Sequence, residues 1–370
     1  MFDRRLIENF EWRLVFLIVL INFIGLLVLY SALTAGNEEL SGLLHPLFKK
    51  QMLWIAIGFV LMFLSLLVDF NELDKLNLSI YIISILILII VIFKGQLGGG
   101  SRRWLVIGFI RVQPSELMKM VLIISLASTY AGLAKTEGLD FKKLIKPLVL
   151  CLIPFVLIVN QPDLGTGLVL LLIAGSITLF VKIKKRVFII LSGTFLSFVP
   201  LVWFVLKDYQ KSRILTFLNP DRDPLGTGYH IIQSKIAVGS GMITGKGFLK
   251  GTQNSLSFLP EQHTDFIVSV LAEEWGFLGC GFLLVLYLIL LLYGLNIAYN
   301  CRNIFGTFLS FGITAMLFWQ IVINFCMVIG LMPVVGVPLP LISYGGSSVV
   351  TNMVGLGLLL NIGMRKFASL

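Results

Sequence analysis

Charge is what this chain has least of. Only 13% of its 370 residues are Asp, Glu, Lys or Arg, against 57% hydrophobic, and mean hydropathy is +0.96. A soluble globular domain has no use for so much apolar surface, so that class is excluded. Several runs reach the roughly 20 apolar residues that cross a bilayer as helix. Other absences narrow the chemistry. There is no HExxH, no Walker A motif and no Ser–His–Asp set, which leaves metalloprotease, ATPase and hydrolase readings without support. Cys151, Cys280, Cys301 and Cys326 are scattered in or beside apolar runs, with neither metal spacing nor a disulfide framework. The net charge is +10, but no nucleic-acid signature accompanies it. The lysines and arginines sit between spans, where they set topology and meet anionic lipid.

What remains is the pattern of an all-α polytopic membrane protein, one integral membrane domain over residues 1–370 with about ten transmembrane helices. The expected spans are 13–34, 51–69, 76–94, 114–133, 145–160, 166–182, 187–206, 266–295, 304–331 and 346–364. The first is too long for a cleaved signal core, and no small-x-small site follows it. Ten spans put both termini on one side. Arg4, Arg5, Arg13, Lys135, Lys142, Lys143, Lys146, Lys182, Lys184, Lys185, Arg186, Arg365 and Lys366 all fall on that side, which the positive-inside rule makes cytoplasmic. Arg102, Arg103 and Arg111 are external exceptions that topology alone would remove. The long connection 207–265 is external and, at that length, expected to be functional. Tyr229, Ile232, Lys235 and Ile236 recur in it at helical spacing, so it should contain short interfacial or re-entrant helices.

Pro260 to Phe266 is the strongest candidate for chemistry. An ionisable group at a membrane boundary costs free energy unless it is solvated or paired. Here His263 and Asp265 fall just before an apolar run, behind the glycine-rich segment 245–253 that could close over a ligand. The competing reading is a helix cap by Thr264 or Asp265. In the stretch holding Arg103, Trp104, Arg111, Gln113, Ser115, Glu116 and Lys119, Pro114 suits a first helical turn and Glu116 the positive end of its dipole. Glu116 and Lys119 share a face. The stretch is therefore either a capped span with a structural ion pair, or a cationic pocket where Arg103, Arg111 and Lys119 meet a diphosphate. Asp163 caps the sixth span or orients a basic neighbour or a sugar hydroxyl. Arg213 and Lys235 lie in the front of the long loop, whose turn residues specify no chemistry alone. Prolines and glycines in Gly336 to Ser348 imply irregular backbone lining a cavity.

Four motifs then occur in order: Arg103-Trp104 with Gln113-Pro114-Ser115-Glu116, Gln161-Pro162-Asp163-Leu164-Gly165-Thr166, Leu259-Pro260-Glu261-Gln262-His263-Thr264-Asp265-Phe266, and Pro338-Leu339-Pro340-Leu341-Ile342-Ser343-Tyr344-Gly345-Gly346-Ser347. Together they closely resemble the SEDS family (shape, elongation, division and sporulation) over essentially all spans. Segment 245–253 resembles its elongation member more than its division member. The resemblance implies a peptidoglycan glycosyltransferase that polymerises lipid II at the outer face of the bacterial cytoplasmic membrane, for cell elongation and shape. It implies a class B penicillin-binding protein, a transpeptidase, as partner within the elongation machinery. It also implies that Asp265 is the essential aspartate. By the same resemblance Arg103, Trp104, Arg111, Gln113, Ser115, Glu116, Lys119, Arg213 and Lys235 line or support the cavity, with His263 in the same motif. No cofactor is certain. A divalent cation (Mg or Mn) assisting the diphosphate is the candidate, and no local acidic cluster marks a dedicated metal site.

One ionised Asp suffices as base for a single inverting displacement, without a raised pKa. Two other functions fit parts of the pattern. A flippase for lipid-linked precursors would also use broken helices and a cationic cavity, but needs polar groups through the midplane. A non-catalytic scaffold of the elongation machinery would leave Asp265 dispensable. Small residues allow close helix approach, so Gly276, Gly279, Gly281 and Gly312 mark an expected face for the partner's span.

Overall fold

Apolar runs become helices here because a bilayer offers backbone N–H and C=O groups no partner outside their own segment. The computed structural model describes residues 10–34, 45–98, 101–108, 110–133, 139–181, 206–223, 226–255 and 261–365, with scattered positions between 184 and 204. Its long helices are α1 (Trp12–Thr34), α2 (Pro46–Ser65), α3 (Phe70–Lys94), α4 (Pro114–Leu133), α5 (Phe141–Asn160) and α6 (Leu164–Phe180). Two short helices follow, α7 (Asp208–Leu218) and α8 (Thr227–Ser240). The last three, α9 (Ile267–Asn300), α10 (Ile304–Val328) and α11 (Gly346–Arg365), complete the bundle. Eight are long and apolar enough to cross a membrane, and α6 is a shorter apolar helix. This is a multi-pass membrane protein. The expected span at 187–206 lies largely outside the described residues.

Local chemistry sets the helix starts. His45 accepts from the N–H of Leu47 with Pro46 in the first turn of α2, and Asp69 accepts from the N–H of Asn71 to start α3. Asn303 accepts from the N–H groups of Phe305 and Gly306 at the start of α10. Helix α11 is the most enclosed element, with α4 and α10 next, whereas α3 turns Leu78, Ile82, Ile83 and Leu86 outward, as a lipid-facing helix does. Asn361 Nδ2 donates to the carbonyls of Ser65 and Val68 at 2.7 and 2.6 Å, and Arg365 pairs with Asp69 at 3.1 Å. These bonds tie the end of α11 to the turn between α2 and α3.

A small sheet departs from the all-helical expectation. Strands β1 (Gln96–Gly98), β2 (Ser101–Ile107) and β3 (Ile110–Val112) form an antiparallel meander between α3 and α4. Strands this short are not stable alone and persist where a bundle supports them. The register pairs Val106 with Arg111 and Leu105 with Val112. Paired residues project to the same side and successive ones alternate. Arg103 is the extra residue of an irregularity in the β1–β2 pairing, where Gln96 pairs with Trp104 and Leu97 with Arg102.

The long loop is largely built. The expected amphipathic helix is α8, and it docks on the bundle: Ser234 Oγ donates to the carbonyl of Val328 at 2.7 Å and lies 2.8 Å from Ser269 Oγ. Segment 241–251 packs against a break in α9 at Gly276, which has φ of +65°. The N–H groups of Phe277 and Leu278 donate to the carbonyls of Met242 and Ile243. A Cβ at Gly276 would strike the backbone of Gly245 and Ile243, so only glycine allows this approach. Gly276 is thus used inside the protein. So is Gly312, whose Cβ position meets Ile123 and Ile177, while Gly281 faces open space. The expected four-glycine partner face is not continuous.

Candidate active site

The starts of α4, α6, α9 and α11 meet at one end of the bundle. Gln113 N–H donates to Ser347 Oγ at 2.9 Å, joining α4 to α11. Gln113 Nε2 and Ser115 Oγ donate to Asp163 Oδ2 at 2.8 and 3.1 Å, joining α4 to α6. Asp163 Oδ1 accepts from the N–H of Thr166 at 3.3 Å and caps α6. Arg103 crosses from the sheet, donating to the carbonyls of Gln161 (3.2 Å) and Pro162, with Nη1 3.9 Å from Asp163 Oδ1. Asp163 is therefore both cap and anchor for a basic neighbour, the two alternatives its sequence context left open.

Asp265 stands just ahead of α9, and its backbone is held while its side chain is not. Three consecutive carbonyls each accept a hydrogen bond: His263 from Tyr344 N–H (2.9 Å), Thr264 from Ser343 Oγ (2.7 Å) and Asp265 from Asn324 Nδ2 (3.0 Å). The donors come from α10 and from the irregular segment 331–345, which runs inside the bundle with Val337, Leu339, Leu341 and Ile342 buried. That segment is satisfied by side chains. Asn324 also donates to Val337 O at 2.8 Å, Tyr287 to Pro340 O at 2.6 Å and Gln51 to Ser343 O at 3.2 Å. The carboxylate of Asp265 accepts no hydrogen bond from the described residues. It faces Gly336, where an added Cβ would sit 3.3 Å from Oδ2.

The electrostatics follow from that position. Burial first, and Glu261 second, push the Asp265 carboxyl up to about 6, against the pull of Arg213 and Arg103. A single displacement does not require a raised pKa, but burial and Glu261 supply one here. Arg213, on α7, is half-buried and donates to Val334 O at 2.9 Å; burial and the nearby Arg103 lower its pKa. His263 lies 5.9 Å from the Tyr344 ring and 4.0 Å from Glu261, and burial lowers its pKa.

The remaining candidates divide. Lys119 and Glu116 are buried and pair at 2.8 Å, so the charge of Lys119 is neutralised within α4. Arg111 is exposed on β3, close enough to Tyr344 for its charge to oppose the rise that burial gives that phenol. Trp104 is half-buried on β2. Lys235 is exposed on α8 and lays its stem over Gly330. Lys246 is engaged elsewhere: it pairs with buried Glu273 at 2.7 Å, which also accepts from Thr252 Oγ1 (3.1 Å) and Gln253 N–H (3.0 Å). The glycine-rich segment is thus fastened to α9 rather than poised over Asp265. Asn324 and Gln51 were not singled out from sequence; a lone amide inside an apolar run is the signal they carry. Among the described residues no three His, Cys, Asp or Glu side chains come together to hold a metal.

Comparisons with known proteins agree with this architecture. A family model described as "Cell cycle protein", covering FtsW, RodA and SpoVE, matches residues 12–367. The chain is 40% identical over 343 residues to "Peptidoglycan glycosyltransferase MrdB" of Escherichia coli (strain K12), covering 91% of this chain and 90% of that one. It is 31% identical over 432 residues to "Peptidoglycan glycosyltransferase RodA" of Treponema pallidum (strain Nichols), covering 97% and 99%. Among solved structures it is similar to a chain from "Structural coordination of polymerization and crosslinking by a peptidoglycan synthase complex", with TM-score 0.82, 32% identity and coverage of 97% and 99%. The crystal structure of Thermus thermophilus rod shape determining protein RodA matches with TM-score 0.72, 28% identity and coverage of 97% and 98%. The chain belongs to the FtsW/RodA/SpoVE family.

Proposed function

We propose that this protein is a peptidoglycan glycosyltransferase that polymerises lipid II at the outer face of the bacterial cytoplasmic membrane, with Asp265 as general base. One observation carries the reading: a fixed backbone presents a carboxylate that accepts no hydrogen bond from the described residues, within the electrostatic reach of Arg213 and Arg103. In the reaction, the 4-hydroxyl oxygen of the acceptor sugar attacks the anomeric carbon of the donor. Its proton passes to Asp265, the bond from that carbon to the diphosphate oxygen breaks, and the prenyl diphosphate leaves with the electron pair. Arg103, Arg111, Arg213 and Lys235 are the cations available to the leaving charge. A single displacement inverts the α-linked donor to a β-linked product, which needs one carboxylate rather than a close pair. A pKa near 6 keeps Asp265 ionised at pH 7 yet makes it a stronger base than an ordinary carboxylate.

The distribution of buried charge favours an enzyme over a translocase. Among the described residues the fully buried charged side chains are Glu116, Lys119, Asp163, Glu273 and Glu274. All lie at or near the starts of α4, α6 and α9, on one end of the bundle. A one-face site needs that arrangement; a path through the midplane does not produce it. The positive-inside pattern places this end outside and both termini in the cytoplasm. A class B penicillin-binding protein is the partner the reading entails, supported by the likeness to a chain of a polymerising and crosslinking synthase complex.

The test is polymerisation of purified lipid II by the purified protein with its transpeptidase. Asp265→Asn should fold and bind the partner but lose on the order of 10²- to 10⁴-fold in rate. Asn keeps the shape of Asp without its basicity, so near-normal glycan from this variant would sink the reading.

A further inference from the structure

A cavity lies at the other end of the bundle. It has a volume of about 550 Å³ and sits between α3, α4 and α5, lined by Asn77, Tyr81, Ser125, Ser128 and Gly132 with Lys142, Lys143 and Lys146 at its edge. Ser125 follows Ser115 by ten residues of α4, about 15 Å along the axis, so the cavity is separate from the Asp265 cleft. By the positive-inside pattern this end is cytoplasmic.

We propose that this cavity binds the phosphate headgroup of an anionic lipid in the leaflet at that end. Several observations point there. The three lysines occupy the first turns of α5, and none makes an ion pair with a described residue. Asp140, just ahead of α5, is paired with Lys184 at 2.8 Å. The Ser125 hydroxyl is buried, lines the cavity and has no hydrogen-bond partner among the described residues. Ser128 Oγ accepts from Asn77 Nδ2 at 2.9 Å, which leaves its own hydrogen to donate. The three lysines and the Ser125 and Ser128 hydroxyls offer donors here, the pattern that a phosphate oxygen completes. The volume falls within the range of small-ligand sites. Leu78, Ile82, Ile145 and Leu148 are exposed apolar side chains on the flanking faces of α3 and α5, suited to acyl chains.

Gly132 allows a test that separates the cavity from general attraction of basic residues to a membrane. It lines the cavity, and no described atom lies within 4 Å of its Cβ position, so a side chain there starts into open space. Native mass spectrometry of the full-length protein would count lipids retained with dioleoyl phosphatidylglycerol against dioleoyl phosphatidylcholine. Wild type should retain phosphatidylglycerol selectively. Each lysine changed to Gln should weaken retention about fivefold. Gly132→Trp should abolish selective retention with all three lysines present, at an unchanged melting temperature in lipid-free detergent. Ser125→Ala tests the same site from within and should weaken retention while leaving the fold intact, since a buried unpaired hydroxyl contributes no stability. Undiminished retention by Gly132→Trp and Ser125→Ala would reduce the effect to surface charge and overturn the cavity. Glycerol 3-phosphate or inorganic phosphate that binds the lipid-free protein and displaces phosphatidylglycerol would make the ligand a soluble phosphate, and overturn the lipid.

Discussion

Two carboxylates at the start of α9 make opposite use of similar surroundings. Glu273 is buried and saturated, with Lys246 Nζ, Thr252 Oγ1 and the N–H of Gln253 all on one oxygen. Asp265 is half-buried and bare, its bonds confined to the backbone. A saturated carboxylate stabilises its ionised form and locks a loop in place. A bare one has a raised pKa and a free lone pair for a proton. The charge that looks busiest in the structure is the structural one, and the chemistry belongs to the residue with nothing attached.

Substitutions can break that contrast from either side. The largest effect is expected at Asp265, where Asn should cost 10²- to 10⁴-fold in polymerisation and yet raise stability. The sign follows from linkage. The carboxyl titrates near 4 unfolded and about 6 folded, so the folded protein loses stability as pH rises from about 4 to 6, by about 2 kcal/mol or less with the group partly open to solvent. Asp265→Asn removes that loss. Melting curves in detergent at pH 4.5 and 7.5 check it: wild type and variant should converge at the lower pH. Lys246→Ala should do the reverse, leaving a buried Glu273 uncompensated at a cost of about 3 kcal/mol, while activity per folded molecule changes far less than in Asp265→Asn.

Smaller effects sharpen the picture. Asp163→Ala removes the α6 cap and the acceptor that orients Gln113, Ser115 and Arg103. A stability loss of about 1–2 kcal/mol should come with a higher KM for lipid II, read by steady-state kinetics. Gly336 has φ of +75° and faces Asp265. Gly336→Ala should cost about 1 kcal/mol in strain and slow polymerisation by crowding the carboxylate; unchanged kinetics would move the reacting atoms away from this face.

The spans were legible because a run of about 20 apolar residues has one stable form in a bilayer. Helix α8 was legible from the spacing of Tyr229, Ile232, Lys235 and Ile236, and the Glu116–Lys119 pair from its i, i+3 separation. The meander at 96–112 was not: its strands are too short to show alternation, and its register, with an irregularity at Arg103, exists only once the sheet is formed. Nor could sequence tell that Lys246 turns to Glu273, since that contact depends on a break in α9 at Gly276 and on backbones that approach only where both lack a Cβ. The raised pKa of Asp265 is likewise a tertiary property, set by what packs around the carboxylate rather than by its neighbours in the chain.

The central claim is that a bare Asp265 with a raised pKa takes the proton. The pH dependence of single-turnover lipid II polymerisation, with the transpeptidase present, tests it most directly. The rate should rise about tenfold per pH unit below 6 and level off above it, and His263→Gln should keep the same limb, which separates Asp265 from the neighbouring imidazole. A rate that is flat from pH 4.5 to 7.5, or a limb that vanishes in His263→Gln, would contradict the account.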